Sequence, residues 1–167
     1  MSHSLIDSPE GTSRTDTTGG LFARVQNQML VALTTRAWLL PLVQKLRGKN
    51  TGTFCTDSTD LCIEGFESSA NSFVFNVLHH LRPDLQLAHH THSVANVKRA
   101  RHYGIPTFIL VRDPVDAIPS LVVRFRPDVH EAFLRYVRFY SYVDTVAPNV
   151  FLVGFEEATG DVGHVVR

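Results

Sequence analysis

Leu61-Cys62-Ile63-Glu64-Gly65-Phe66-Glu67-Ser68-Ser69-Ala70-Asn71-Ser72 decides the fold of this chain, because a strand, a loop and a helix start follow one another within it. Residues 61–66 form a short, largely apolar run of the kind a strand buried on both faces requires. Small and hydroxyl-bearing side chains then fill the turn. From Ser72 onward, Phe73, Val74, Val77, Leu78 and Leu81 recur at helical spacing until Pro83 stops the pattern. Strand, polar loop and helix in that order are the opening unit of an α/β domain.

The same alternation continues downstream. Residues 85–89 read as a second strand, and Val94–Tyr103 as a helix closed by Gly104, with Pro106 just beyond. Thr107-Phe108-Ile109-Leu110-Val111 is β-branched or apolar throughout and predicts the clearest strand, ended by Arg112-Asp113-Pro114; a helix over about 115–123 follows. Asp128 and Glu131 have capping-box spacing, with Val129, Phe133, Tyr136, Val137, Tyr140 and Val143 as one apolar stripe behind them. Residues 150–153 read as another buried strand. The expectation is an α/β fold with a mainly parallel central sheet covered on both faces, α/β/α in three layers.

Upstream, residues 1–20 are dense in Ser, Thr, Asp and Gly and read as a disordered tail, 21–48 as a helical segment, and 49–60 as a polar linker. That leaves 61–167 as the core. A chain of 167 residues suits one domain, and its 44% hydrophobic and 19% charged residues are those of an ordinary globular protein. Sixteen Lys plus Arg balance sixteen Asp plus Glu, which excludes the broad basic field of a non-specific nucleic-acid binder. An anion site must therefore be local. Two cysteines, Cys55 and Cys62, are too few for a disulfide scaffold, and no signal peptide is visible, so a cytoplasmic setting is expected. Arg36, Pro41 and Gln44 interrupt the most apolar stretch, 29–46, so no membrane span is expected; a helix lying on a membrane surface stays open for it.

Parallel α/β sheets bind ligands at the carboxyl ends of their strands, which directs attention to the loops there. In the first, Ser68, Ser69, Ala70, Asn71 and Ser72 lead into a helix, where backbone N–H groups and the helix dipole favour an anion. Against the triphosphatase pattern G-x-x-x-x-G-K-[ST], Gly65 and Ser72 match, while Ala70 and Asn71 replace the glycine and the lysine. The alternative for these residues is a polar turn that caps a helix. In the second loop, Arg112 offers a planar fork to a phosphate and Ser120, on the next helix, one further hydroxyl; the alternative is an Arg112–Asp113 pair. Between them, His89, His90 and His92 could be a proton acceptor, a metal cluster or a solvated group, although no third or fourth ligand recurs at zinc spacing.

Taken in order, these segments resemble the sulfotransferases. Ser69-Ala70-Asn71-Ser72 is similar to the end of that family's phosphosulfate loop P-[KR]-[ST]-G-[TS]-[TS], with Glu67 and Ser68 standing where the family has proline and a basic residue. The run from Phe108 through Arg112-Asp113-Pro114 to Ser120 resembles its 3′-phosphate segment, and His90-Thr91-His92 its K-T-H segment. The resemblance spans about residues 61–155 and implies a P-loop NTPase-like fold of sulfotransferase type, lacking its C-terminal part. It implies 3′-phosphoadenosine-5′-phosphosulfate (PAPS) as co-substrate, bound by Ser68, Ser69, Ala70, Asn71, Ser72, Arg112 and Ser120, with His92 as catalytic base and no metal. The implied activity is sulfuryl transfer to a hydroxyl or amine of a small-molecule or glycan acceptor. A PAPS- or nucleotide-binding protein with little turnover, or a nucleotide kinase of the same fold, are the alternatives.

Overall fold

The computed structural model describes residues 54–160. The tail, the helical segment 21–48 with the apolar stretch 29–46, and residues 161–167 lie outside these. Among the described residues, four strands and five α-helices follow in the order β1 (Leu61–Gly65), α1 (Asn71–Leu81), β2 (Leu87–His89), α2 (Val94–Tyr103), β3 (Thr107–Val111), α3 (Pro114–Phe125), α4 (Val129–Val146), β4 (Phe151–Gly154) and α5 (Phe155–Gly160). A 3₁₀ turn, Ala147–Asn149, joins α4 to β4.

The chemistry of each boundary is local. Ser93 caps α2 by accepting from the Ala95 N–H at 3.1 Å, and Gly104 ends that helix at φ 67°. Asp113 accepts from the Val115 N–H at 2.8 Å with Pro114 beginning α3, and Asp128 accepts from the Glu131 N–H at 3.1 Å at the start of α4.

All pairings are parallel, in the order β2-β1-β3-β4. Every residue of β1 is buried, as its apolar run requires. Successive strand residues point to opposite faces, and they meet different helices. Leu61 and Ile63 cluster with Leu87, Leu110, Val74 and Leu78 of α1 and Ala158 of α5. Cys62 packs on Ala88 and Ala100, and Ile109 on Val97 of α2 and Phe139, Val143 and Val146 of α4.

Two expectations change. β4 forms, but Phe151 and Leu152 are 61% and 52% exposed, because it is the edge of the described sheet. In α4 the buried face carries Ala132, Phe139, Val143 and Val146, with Tyr136 and Tyr140 beside it; Val129, Phe133 and Val137 of the expected stripe are exposed. The helix is apolar around most of its circumference, so periodicity alone does not choose the face. Within the stretch read as linker, Phe54 and Cys55 are buried; the Cys55 N–H donates to Asn96 Oδ1 at 2.8 Å, and Arg99 Nε donates to the Cys55 carbonyl at 2.8 Å.

Candidate functional site

From β1 the chain first steps to β2 on one side and then crosses to β3 on the other. The switch point therefore lies at the carboxyl ends of β1 and β3, where an open parallel sheet forms a crevice. Loop 66–70, the turn 90–92 and Arg112 follow the ends of β1, β2 and β3.

Loop 66–70 is anchored at both ends. The buried Phe66 ring packs edge-on against Tyr136, with centroids 5.1 Å apart, and its carbonyl accepts from Asn71 Nδ2 at 2.9 Å. Glu67 forms an ion pair with Arg135 of α4. Between these anchors Ser68 and Ala70 adopt φ 64° and 68°, a region costing non-glycine residues on the order of 1–2 kcal/mol each. Alternation into the left-handed region turns successive N–H groups into an anion-binding concavity. Ala70 begins α1 without a side-chain cap, so the first N–H groups of that helix are not satisfied by a capping side chain. The reading of this loop as a side-chain-capped turn is thereby overturned. Ser68 Oγ and Asn71 Oδ1 are buried without a hydrogen-bond partner, and Ser69 Oγ, although close to the Tyr140 hydroxyl, reaches no hydrogen-bond geometry.

Arg112 leans over this loop. Its Nη1 donates to the Ser68 carbonyl at 2.9 Å, its guanidinium stacks 4.2 Å from the Phe155 ring centre, and its buried Nε has no partner. The Tyr136 hydroxyl donates to the Arg112 carbonyl, and the Tyr140 hydroxyl to the Leu110 carbonyl, each at 2.7 Å, pinning the end of β3 to α4. Burial pushes the Tyr136 phenol up to about 12 and raises that of Tyr140, so both stay protonated donors at neutral pH. Asp113 is occupied as a helix cap, and among the described residues no ion pair joins it to Arg112. Ser120 sits in the second turn of α3, partly buried, with no described hydrogen bond to Arg112.

The histidine turn is held from β1. His90 and His92 have φ 60° and 49°, again left-handed. Glu64, wholly buried near the carboxyl end of β1, accepts from the Thr91 N–H at 3.2 Å, the Thr91 hydroxyl at 2.6 Å, the His92 N–H at 2.9 Å and Asn96 Nδ2 at 2.8 Å. His92 Nδ1 lies 2.9 Å from the Gly65 carbonyl. A carbonyl can only accept, so Nδ1 carries the proton and the lone pair of the neutral ring resides on Nε2. His90 Nε2 is 2.6 Å from Ser72 Oγ, and the Nδ1 atoms of His89 and His90 contact each other. Among the described residues, no group of three or more His, Cys, Asp or Glu side chains is placed to hold a metal, and no helix is long and apolar enough to cross a membrane. On α2, Arg99 covers Phe54 and Tyr103 and donates to the Cys55 carbonyl, and Lys98 lies over Tyr142.

Glu64 belongs to no motif in the sequence; its one local signal is a carboxylate inside an apolar run. Tyr136 and Tyr140 read in the sequence as stripe residues alone, and Arg135 and Phe155 carry no local signal.

Burial pushes Glu64 up from 4.5 to about 7, against the downward pull of its bonds from Thr91, Asn96 and His92. A raised carboxyl pKa makes the ionised form costly in the folded state. The cost is absent below pH 4.5, grows through the window 4.5–7 and is complete above it, amounting to about 3 kcal/mol. His89 works the other way, because burial, then the neighbouring His90, His79 and His92, lower it from 6.5 to about 4, so its contribution is lost as pH falls through that range. Denaturant unfolding at pH 5 and pH 8 should show Glu64→Gln gaining stability relative to wild type as pH rises. A difference that does not change with pH would contradict this assignment.

A comparison of the chain with protein-family models, curated proteins and solved structures found no match in any of the three.

Proposed function

We propose that this protein binds PAPS at the β1–β3 switch point and transfers its sulfuryl group to a hydroxyl or amine acceptor. What carries the reading is the convergence on one crevice of a left-handed loop with buried, unpartnered polar atoms and a strand-end arginine whose Nε also has no partner. Buried polar groups are normally hydrogen-bonded, so such a cluster suits a ligand rich in acceptor oxygens. On this reading the fold is the three-layer, P-loop NTPase-like arrangement of sulfotransferase type. Ser68, Ser69, Ala70, Asn71 and Ser72 receive the 5′-phosphosulfate, and Arg112 with Ser120 the 3′-phosphate. The acceptor is a small molecule or a glycan, and the setting is the cytoplasm, in keeping with two buried free thiols, Cys55 and Cys62.

The His92 Nε2 lone pair takes the acceptor proton as the acceptor oxygen or nitrogen forms its bond to sulfur. The bond from sulfur to the bridging phosphate oxygen breaks, and adenosine 3′,5′-bisphosphate leaves. The N–H groups at the head of α1 offset the charge on the leaving phosphate, by the positioning and electrostatic logic of phosphoryl transfer.

A second reading, binding with little turnover, is favoured by one observation. Ser68 supplies no cation to the leaving phosphate, and the nearby Arg135 is engaged by Glu67.

Calorimetry with PAPS, adenosine 3′,5′-bisphosphate, 5′-AMP and ATP tests the site. We expect preference for the 3′-phosphorylated nucleotides, weakened about 10- to 100-fold in Arg112→Ala, the loss expected for charge-assisted hydrogen bonds. Equal affinity for 5′-AMP, or an unchanged Arg112→Ala variant, removes the proposed site. Sulfate transfer from labelled PAPS then separates the two readings.

A further inference from the structure

The geometry points to Glu64 as the positioning residue of His92: through the His92 backbone N–H, its carboxylate sets which imidazole nitrogen faces the crevice. Two consecutive residues at the end of β1 divide the task. Glu64 takes the backbone of the turn, its Oε2 accepting from the His92 N–H at 2.9 Å, and the Gly65 carbonyl takes the ring at Nδ1, also at 2.9 Å. Strain makes this hold necessary. His92 at φ 49° and His90 at φ 60° occupy a region that L-residues leave unless neighbouring bonds retain them. Release of the His92 N–H lets the turn relax, carries the ring away from the Gly65 carbonyl and frees the proton to move to Nε2. A ring protonated at Nε2 has no lone pair there to accept a proton from substrate.

The bonds are divided unequally between the two carboxylate oxygens, and this division supplies the test. Oε1 receives three donors, from the Thr91 N–H, the Thr91 hydroxyl and Asn96 Nδ2, whereas the bond described for Oε2 is that from the His92 N–H. In Glu64→Gln the amide oxygen keeps the position with three donors, and the NH₂ group faces the His92 N–H, donor against donor. The variant therefore severs the bond to His92 and leaves the other three.

The catalytic meaning of this contact rests on the sulfuryl-transfer reading, but the ring assignment is measured without nucleotide. Nitrogen-15 spectra of the full chain labelled at histidine, with His92→Asn to assign the signal, report the tautomer. We expect wild-type His92 in a single form protonated at Nδ1, and Glu64→Gln in a mixture containing the Nε2-protonated form while the backbone spectrum stays dispersed. An Nε2-protonated ring in wild type, or an unchanged ring in folded Glu64→Gln, overturns the proposal. If Glu64→Gln does not fold, Glu64→Asp, which keeps the charge but draws the carboxylate one methylene back from the His92 N–H, should give a shift in the same direction; no shift overturns the proposal equally. Where turnover is present, kcat of Glu64→Gln should fall on the order of 100-fold at unchanged nucleotide KM. A ring shift in a protein that ignores PAPS would leave the positioning role standing and remove sulfuryl transfer.

Discussion

Gly65→Ala should be the most damaging small substitution in the described structure, lowering stability by about 3 kcal/mol and shifting the denaturant midpoint accordingly. A β-carbon at this position would stand 2.7 Å from the Leu110 carbonyl oxygen and 3.1 Å from both Asn71 Oδ1 and Leu110 Cβ. The closest of these atoms belongs to backbone, paired in register with Gly65 across β1 and β3, and it cannot swing aside as a side chain would. Relief requires the two central strands to part at their carboxyl ends, where Tyr140 ties Leu110 to α4 and where the Gly65 carbonyl holds His92. The variant should therefore lose nucleotide affinity as well as stability. A midpoint within experimental error of wild type would mean that the strands are not as close as described.

His92→Asn should leave nucleotide binding nearly intact and lower the rate of sulfuryl transfer about 10²- to 10⁴-fold, the usual contribution of a positioned general base. Asparagine is chosen because it tolerates the left-handed conformation that His92 occupies at φ 49°, so the turn survives and only the imidazole is lost. Full activity in this variant would remove His92 as the base. Parallel loss of binding and rate would instead give the residue a structural role.

The candidate site was legible in part. The polar loop before α1, the arginine after β3 and the histidine turn after β2 are each short, and their residue types announce anion binding or proton transfer without reference to neighbours. Ser120 is a lone hydroxyl on the helix after Arg112, and its described surroundings join it to none of the others. Glu64 was present in the sequence as a carboxylate among apolar residues, but its partners Thr91, His92 and Asn96 lie 27 to 32 positions away, and burial alone raises its pKa. The Glu67–Arg135 pair and the stacking of Arg112 on Phe155 join residues still farther apart in sequence. No spacing rule reaches them.

By itself, the sequence determined the type and order of the elements from residue 61 to the short strand after α4. Strand runs, helical spacing, caps at Ser93, Asp113 and Asp128 and the stop at Gly104 act through bonds that span a few residues. Only the tertiary structure decided the strand order β2-β1-β3-β4, which makes the β1–β3 boundary the switch point, and the exposure of Phe151 and Leu152 at the edge. It also decided the buried face of α4. That helix offers apolar residues on several faces, and the face that pays least for burial is selected by what lies opposite: Ile109 of β3 for Phe139 and Val143, and Ala117 and Leu121 of α3 for Ala132. Local bonds choose between helix and strand, but burial is a property of pairs of surfaces, and those pairs exist only once the chain has folded.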